Sequence, residues 1–246
     1  MRISIFGAGY VGAVSASCLA HDGHTVTAVD PDPNKIAPLL QGQSPIVEPG
    51  LEELIKEGVL NGRLSATSDP EQAILDTDLS LICVGTPSQP DGSLSTQYLQ
   101  KVATEIGAAL KKKSSFHSVV VRSTCLPGTV EEVVVPALEQ ASGMKAGEGF
   151  GIAYFPEFLR ESTAIRDYYD PGVIVFGTKD ETTAERLRSM HEKFDRPKFM
   201  VDIRTAEGIK YTNNAWHAVK ISFSNEIGNI LSRAGIDSHV ALEILC

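Results

Sequence analysis

The chain has 246 residues, 42% of them hydrophobic and 22% charged, with a formal net charge of −9. That composition excludes a disordered or fibrous protein, and the acidic balance argues against a phosphate-neutralising nucleic-acid surface. Four cysteines without CxxC spacing make neither a disulfide framework nor a zinc site, which points to a reducing, cytoplasmic compartment and no metal.

Residues 3–20 carry no charge and follow a single Arg, as the apolar run of a signal peptide does, yet Gly7, Gly9 and Gly12 punctuate the run. We read a strand over Ile3–Phe6, a glycine-rich turn and a helix through Leu19. No later run is apolar for long enough to span a bilayer. Thr25–Val29 is β-branched and alternating, hence a second strand, and a helix covers Asn34–Leu40. Leu79–Val84 is a continuous apolar strand of the kind covered on both faces. Tyr98, Val102, Ile106 and Leu110 mark one stripe of a helix, which Lys111–Lys113 ends where cations suit the macrodipole. Val119–Val121 is a strand leading into Arg122-Ser123-Thr124, and Gly128–Gln140 reads as a helix despite its valines. Strands over Gly151–Phe155 and Val173–Phe176, a helix over Thr182–Phe194 and a strand over Lys198–Val201 follow, while Gln41–Gly50 and Thr86–Ser93 read as loops. The alternation predicts an α/β fold with a Rossmann-like, doubly wound, mostly parallel sheet. From Thr205 to Arg233 there is no proline, so one helix of about 40 Å is expected, opening a second, helical domain after a boundary near residue 200. The apolar ending Ala241–Cys246 has no terminator and reads as a cut inside a helix.

Gly7-Ala8-Gly9-Tyr10-Val11-Gly12 is a GxGxxG motif between a predicted strand and a predicted helix, and the second strand ends in Asp30, 18 residues after Gly12. That context predicts a dinucleotide site: glycines for the turn, for close approach of a pyrophosphate and for helix–strand packing, with a helix N-terminus facing the anion. Asp30 would accept from a ribose diol and repel a 2′-phosphate, which favours NAD over NADP. Lys35, a helical turn further on, either reaches the same ribose or pyrophosphate or is a solvated lysine. Thr86, in Val84-Gly85-Thr86-Pro87, and Thr124 end successive strands, where such sheets face their ligands; the alternative for both is a plain turn.

These stretches resemble the UDP-glucose/GDP-mannose dehydrogenase family. So do Ser44–Leu51, Arg122–Thr129, Pro156–Glu161 and the helix Lys210–His217. Trp216-His217, Val47 and Arg122 with Leu126-Pro127-Gly128 are most similar to its GDP-mannose branch, the UDP-glucose branch being the alternative. The resemblance implies NAD-dependent oxidation of a nucleotide sugar's C6 alcohol to a carboxylate, feeding polysaccharide synthesis. It also implies that 1–200 is an NAD-binding domain and that 201–246 begins a central domain pairing in a homodimer. It further implies a Gly-Gly-x-Cys nucleophile, which this sequence does not contain. Cys18 and Cys83 read as packed core thiols, Cys125 is a weak substitute, and Cys246 lacks the motif's glycines. The motif is expected beyond the last residue, and the chain by itself is expected to be catalytically incompetent. A non-catalytic NAD-binding or dimerisation module is the reading from another class.

At about 100° per residue, Lys210, Asn214, His217 and Asn225 share an arc of roughly 80° on the long helix, interrupted by Ile221. A solvated face explains such an arc, but the resemblance assigns Lys210 and Asn214 to the developing oxyanion at C6 and His217 and Asn225 to substrate. Glu157 and Glu161 are the acid–base candidates and would share a face if their segment were helical; Glu161 also contacts ligand by resemblance. Phe155 departs from the family's small polar residue there, often Asn, and Arg160 is either a phosphate ligand or a structural partner.

Overall fold

A computed structural model describes residues 1–245, which form two compact units, 1–208 and 209–245. In the first, eight strands form one sheet in the order β3-β2-β1-β4-β5-β6-β7-β8. The strands are Arg2–Phe6, Thr25–Val29, Leu64–Thr67, Leu79–Ile82, Ser118–Val121, Gly151–Tyr154, Ile174–Thr178 and Lys198–Val201. β1 to β6 run parallel, whereas β7 pairs antiparallel to β6 and parallel to β8. The order reverses between β1 and β4, where open α/β sheets place their ligand crevice.

Interior strands explain the apolar runs. All four residues of β4 and of β5 are buried. Helix α1, Tyr10–His21, buries every residue from Gly12 to Ala20. Its Gly, Ala and Ser residues let it lie close against the sheet, so the uncharged start of the chain forms interior strand and helix. Short elements absent from the sequence reading fill the gaps: α3 Leu51–Leu60, β3, α4 Pro70–Asp76 and the six-residue α7 Ala164–Tyr169. α2 is Pro33–Leu40 and α5 is Gln97–Leu110. Tyr98, expected on the buried stripe of α5, is 56% exposed, and the inward face is carried by Leu99, Ala103 and Ile106.

Two local expectations need correction. Lys111–Lys113 does end its helix, with Lys111 at the C-cap, but the Lys113 Nζ donates to the carbonyls of Ile74, Leu75 and Thr77 at 2.7–3.0 Å, capping the C-terminal end of α4 instead. The segment predicted as a regular helix over Gly128–Gln140 opens as a π-helical turn, Val130–Val134, before α6, Val135–Ser142. The Val135 N–H bonds the Val130 carbonyl five residues back. Pro136 supplies no N–H for the carbonyl four residues before it, which loosens the α-helical ladder there.

α8 covers Glu181–Met190, and α9 is continuous over Ile203–Arg233, its first six residues belonging to the first unit. In the second unit α9 stops in a Schellman turn. Gly235 has φ +74°, its N–H reaches the Ser232 carbonyl, and Ile236 N–H reaches that of Leu231. Asp237 then caps α10, Ser238–Leu245, by accepting from His239 and Val240 N–H. Cys246 lies outside the described residues. Among those described, no helix is long and apolar enough to cross a membrane.

Candidate cofactor and active site

The three motif glycines have different surroundings. Gly7 has φ +100°, and a Cβ there would stand 2.8 Å from the Cys83 carbonyl oxygen of the neighbouring strand end. A Cβ on Gly12 would stand 1.7 Å from the Gly7 oxygen, so α1 approaches β1 only because position 12 has no side chain. Around Gly9 an added Cβ meets nothing within 4 Å, and no side chain caps the start of α1. An open approach to uncapped N–H groups is what an anionic pyrophosphate requires.

Asp30 directly follows β2 and is 4% exposed. Its Oδ2 accepts from Ala8 N–H at 2.8 Å and from Lys35 Nζ at 3.0 Å, and its Oδ1 accepts from Asp32 N–H at 3.0 Å. Burial pushes its pKa up, but these three donors outweigh burial and hold it below the ordinary value. Asp30 is thus a charged acceptor that also ties β2 to the glycine turn, and Lys35 is its ion-pair partner. A cavity of about 430 Å³ opens beside Gly7, Gly9, Asp30 and Lys35. A second, of about 260 Å³, is lined by Tyr10, Val11, Thr86, Thr124 and Glu157 and shares Gly9, Val84 and Gly85 with the first. A larger cavity, about 560 Å³, lies elsewhere, by Phe116 and Lys179 at the amino ends of the parallel strands, away from these glycines.

The second cavity is braced from several directions. Thr86 Oγ1 donates to the Thr124 carbonyl at 2.6 Å, and Ser123 Oγ donates to the Val84 carbonyl at 2.6 Å. The Tyr10 hydroxyl donates to the Glu48 carboxylate, which also accepts from Ser162 and Ala164 N–H at 2.8 Å each. Glu48, given no role of its own within the Ser44–Leu51 stretch, ties that loop to the loop carrying Glu157. Being the one charge in a proline-flanked loop was its only sequence signal.

Glu157 is 9% exposed and its Oε2 accepts from Leu159 N–H at 2.7 Å. The segment after β6 is not helical, so Glu157 and Glu161 do not share a helix face; Glu161 is exposed on the following turn. Arg160 is structural: it grips Asp167 through its backbone N–H, Nε and Nη2. Phe155 is buried against Phe176 and His191, with the Arg122 guanidinium 4.3 Å from its ring centroid. Arg122 is itself buried, and its Nε and Nη1 have no hydrogen-bond partner among the described residues.

Burial pushes the Cys18 and Cys83 thiols up to about 12, and burial with Glu207 alongside raises that of Cys125. None is a poised nucleophile. In the second unit, Lys210 is buried, while Asn214, His217 and Asn225 are exposed along α9. Trp216, Val219 and Phe223 are also exposed there, so the apolar side of α9 is exposed as well as the polar arc.

Sequence comparison agrees with this geometry. Residues 1–195 match the NAD-binding domain of the UDP-glucose/GDP-mannose dehydrogenase family, and residues 204–246 match its central domain. The chain belongs to that family. It is 53% identical over all 246 residues to a GDP-mannose 6-dehydrogenase of Azotobacter vinelandii, covering 56% of that protein. A UDP-glucose 6-dehydrogenase of Haloferax volcanii is 44% identical over 99% of the chain and is covered to 57%. The crystal structure of a ternary complex of GDP-mannose dehydrogenase from Pseudomonas aeruginosa superposes with a TM-score of 0.98 at 52% identity, covering all of this chain and 56% of that one. The chain thus spans a little over half the length of these relatives. The cofactor of the domain is NAD, and the open approach at Gly9, the uncapped helix and the charged Asp30 fit it.

Proposed function

We propose that this chain is the cofactor-binding and central-helix portion of an NAD-dependent dehydrogenase that oxidises the C6 alcohol of GDP-mannose to a carboxylate. The observation that carries the reading is identity along the whole chain, 53% to a GDP-mannose enzyme against 44% to a UDP-glucose enzyme. Gly9 and the start of α1 receive the pyrophosphate, and Asp30, with Lys35 beside it, receives the adenosine ribose. Bound NAD supplies the hydride acceptor. Thr124 and Glu157 line the other end of the cleft, where Glu157, whose carboxylate accepts from the Leu159 N–H, takes the proton of the alcohol or of a hydrolytic water. Glu161 contacts ligand from the adjoining turn. Lys210 and Asn214 stabilise the developing oxyanion, and His217 and Asn225 contact the sugar nucleotide. The exposed Trp216, Val219 and Phe223 serve a homodimer through α9, which suits an exposed apolar helix face. The protein works in the cytoplasm, and its product feeds polysaccharide synthesis. With its described thiols buried, the 246-residue chain by itself binds NAD without turnover.

The test joins this chain to the remaining C-terminal part of the Azotobacter vinelandii relative and follows NADH formation with each sugar nucleotide. Faster turnover of GDP-mannose supports the reading. Preference for UDP-glucose overturns the substrate, and NADH formation by the 246-residue chain alone overturns the inactivity.

A further inference from the structure

Glu207 has 0% exposure, and the chemistry above does not use it. It sits on the first turns of α9, within the first unit. Its Oε2 accepts from Gly128 N–H at 2.5 Å, its Oε1 accepts from Val130 N–H at 2.8 Å, and the Cys125 thiol donates to Oε1 at 3.5 Å. Those N–H groups belong to the turn that opens the π-helical segment, where helix starts leave donors unpaired. Arg204, one turn earlier on α9, pairs with Glu131 and Glu132 on that same segment, at 2.6 and 2.8 Å. α9 therefore grips the turn from two sides, through one buried anion and one exposed cation.

The gripped turn follows directly on Ser123 and Thr124. Those residues line the smaller cavity and are themselves bonded across to Val84 and Thr86. We propose that Glu207 is a positioning residue: its carboxylate holds the Cys125–Val130 turn so that Thr124 and Thr86 stay set at the nicotinamide end of the cofactor cleft. This rests on the NAD reading of the two cavities, in which Asp30 marks the adenosine end and Thr124 the other. A glutamine at 207 presents only one carbonyl oxygen, and its amide hydrogens face an N–H of Gly128 or Val130. One of the two backbone donors then loses its acceptor and the turn loosens.

The test compares the parent chain with E207Q and E207D by calorimetric titration with NAD and, separately, with ADP-ribose. The parent must bind both; failure there refutes the cofactor reading and with it this proposal. E207Q is expected to bind NAD about fivefold more weakly, the scale of one lost hydrogen bond, with ADP-ribose affinity unchanged. It should also be alkylated faster at Cys125, because the neighbouring negative charge that suppresses the thiolate is gone. E207D, which keeps the charge, should recover part of the NAD affinity. A folded E207Q with parental NAD affinity overturns the proposal, as does an equal loss for NAD and ADP-ribose, the mark of a merely structural residue. Should E207Q not fold, E207D and hydrogen exchange in the parent decide. NAD must slow exchange at the Gly128 and Val130 amides, and unchanged exchange overturns the proposal.

Discussion

Gly9 and Gly12 stand three residues apart in one motif, yet alanine at each should fail in opposite ways. Gly9 has φ −78° and ψ −163°, an extended conformation that alanine adopts freely, and its added Cβ meets nothing within 4 Å. Alanine is the poorer helix cap by roughly 0.5 kcal/mol, which the entropy it removes from the unfolded chain, about 0.4–1 kcal/mol, offsets. Gly9→Ala should therefore shift Tm by less than about 2 °C for a domain of this size. It fills the pyrophosphate approach, so NAD affinity should fall by the worth of a charge-assisted hydrogen bond, about 1.5–3 kcal/mol, or more than tenfold. Gly12→Ala places its Cβ 1.7 Å from a backbone oxygen that cannot swing aside. Relief requires α1 to move off β1, at the upper end of overpacking costs, about 3 kcal/mol or more, which lowers Tm by roughly 6–12 °C. Scanning calorimetry and NAD titration on both variants separate the effects. The reasoning is refuted if Gly9→Ala melts as early as Gly12→Ala, or if it binds NAD as the parent does.

Acid should destabilise the protein well above the carboxylate range. His117 and His191 are buried, and desolvation first of all lowers their pKa values to about 3 and about 4, below the ordinary 6.5. The unfolded chain then binds more protons below pH 6.5, so stability is complete above that pH and is lost as pH falls towards 4 and 3. At pH 5 each histidine removes about 2 kcal/mol, a slope near 2.7 kcal/mol per pH unit for the pair. His191→Phe should reduce the slope between pH 5 and 6 in urea melts by about 1.4 kcal/mol per pH unit, and an unchanged slope would remove His191 from the account. In a Cys246→Ser background, the native protein should resist alkylation at pH 8, with Cys18 and Cys83 reacting only on unfolding. Rapid labelling of either without loss of structure would contradict their burial.

The elements legible in the sequence were those with a long or strongly patterned signal. Thr25–Val29 and Lys198–Val201 match the observed strands residue for residue, and α9 ends at Arg233 because Gly235 supplies a left-handed stop. What escaped was short or held from far away. β3 is a four-residue edge strand only partly buried, and α7 has six residues whose start is fixed by Glu48, 116 residues distant from Ala164. At the candidate site, the place of GxGxxG between β1 and α1 and of Asp30 after β2 was readable because spacing and chain order carry it. Glu48 and Glu207 were not, because each is a lone acidic residue whose meaning lies in backbone N–H groups that only the fold brings to it. For Glu157 and Glu161 the condition of a shared face was not met: a spacing of four gives one face only where the backbone is helical, and theirs is not.

The claim at the centre of this account is that the cleft over Gly9 takes NAD with Asp30 at its ribose end. Calorimetric titration of the 246-residue chain with NAD and with NADP tests it directly. The account predicts saturable NAD binding, at least tenfold weaker binding of NADP because a 2′-phosphate meets the Asp30 carboxylate, and loss of that preference in Asp30→Ala. Equal affinity for the two dinucleotides, or a preference that survives Asp30→Ala, would contradict it.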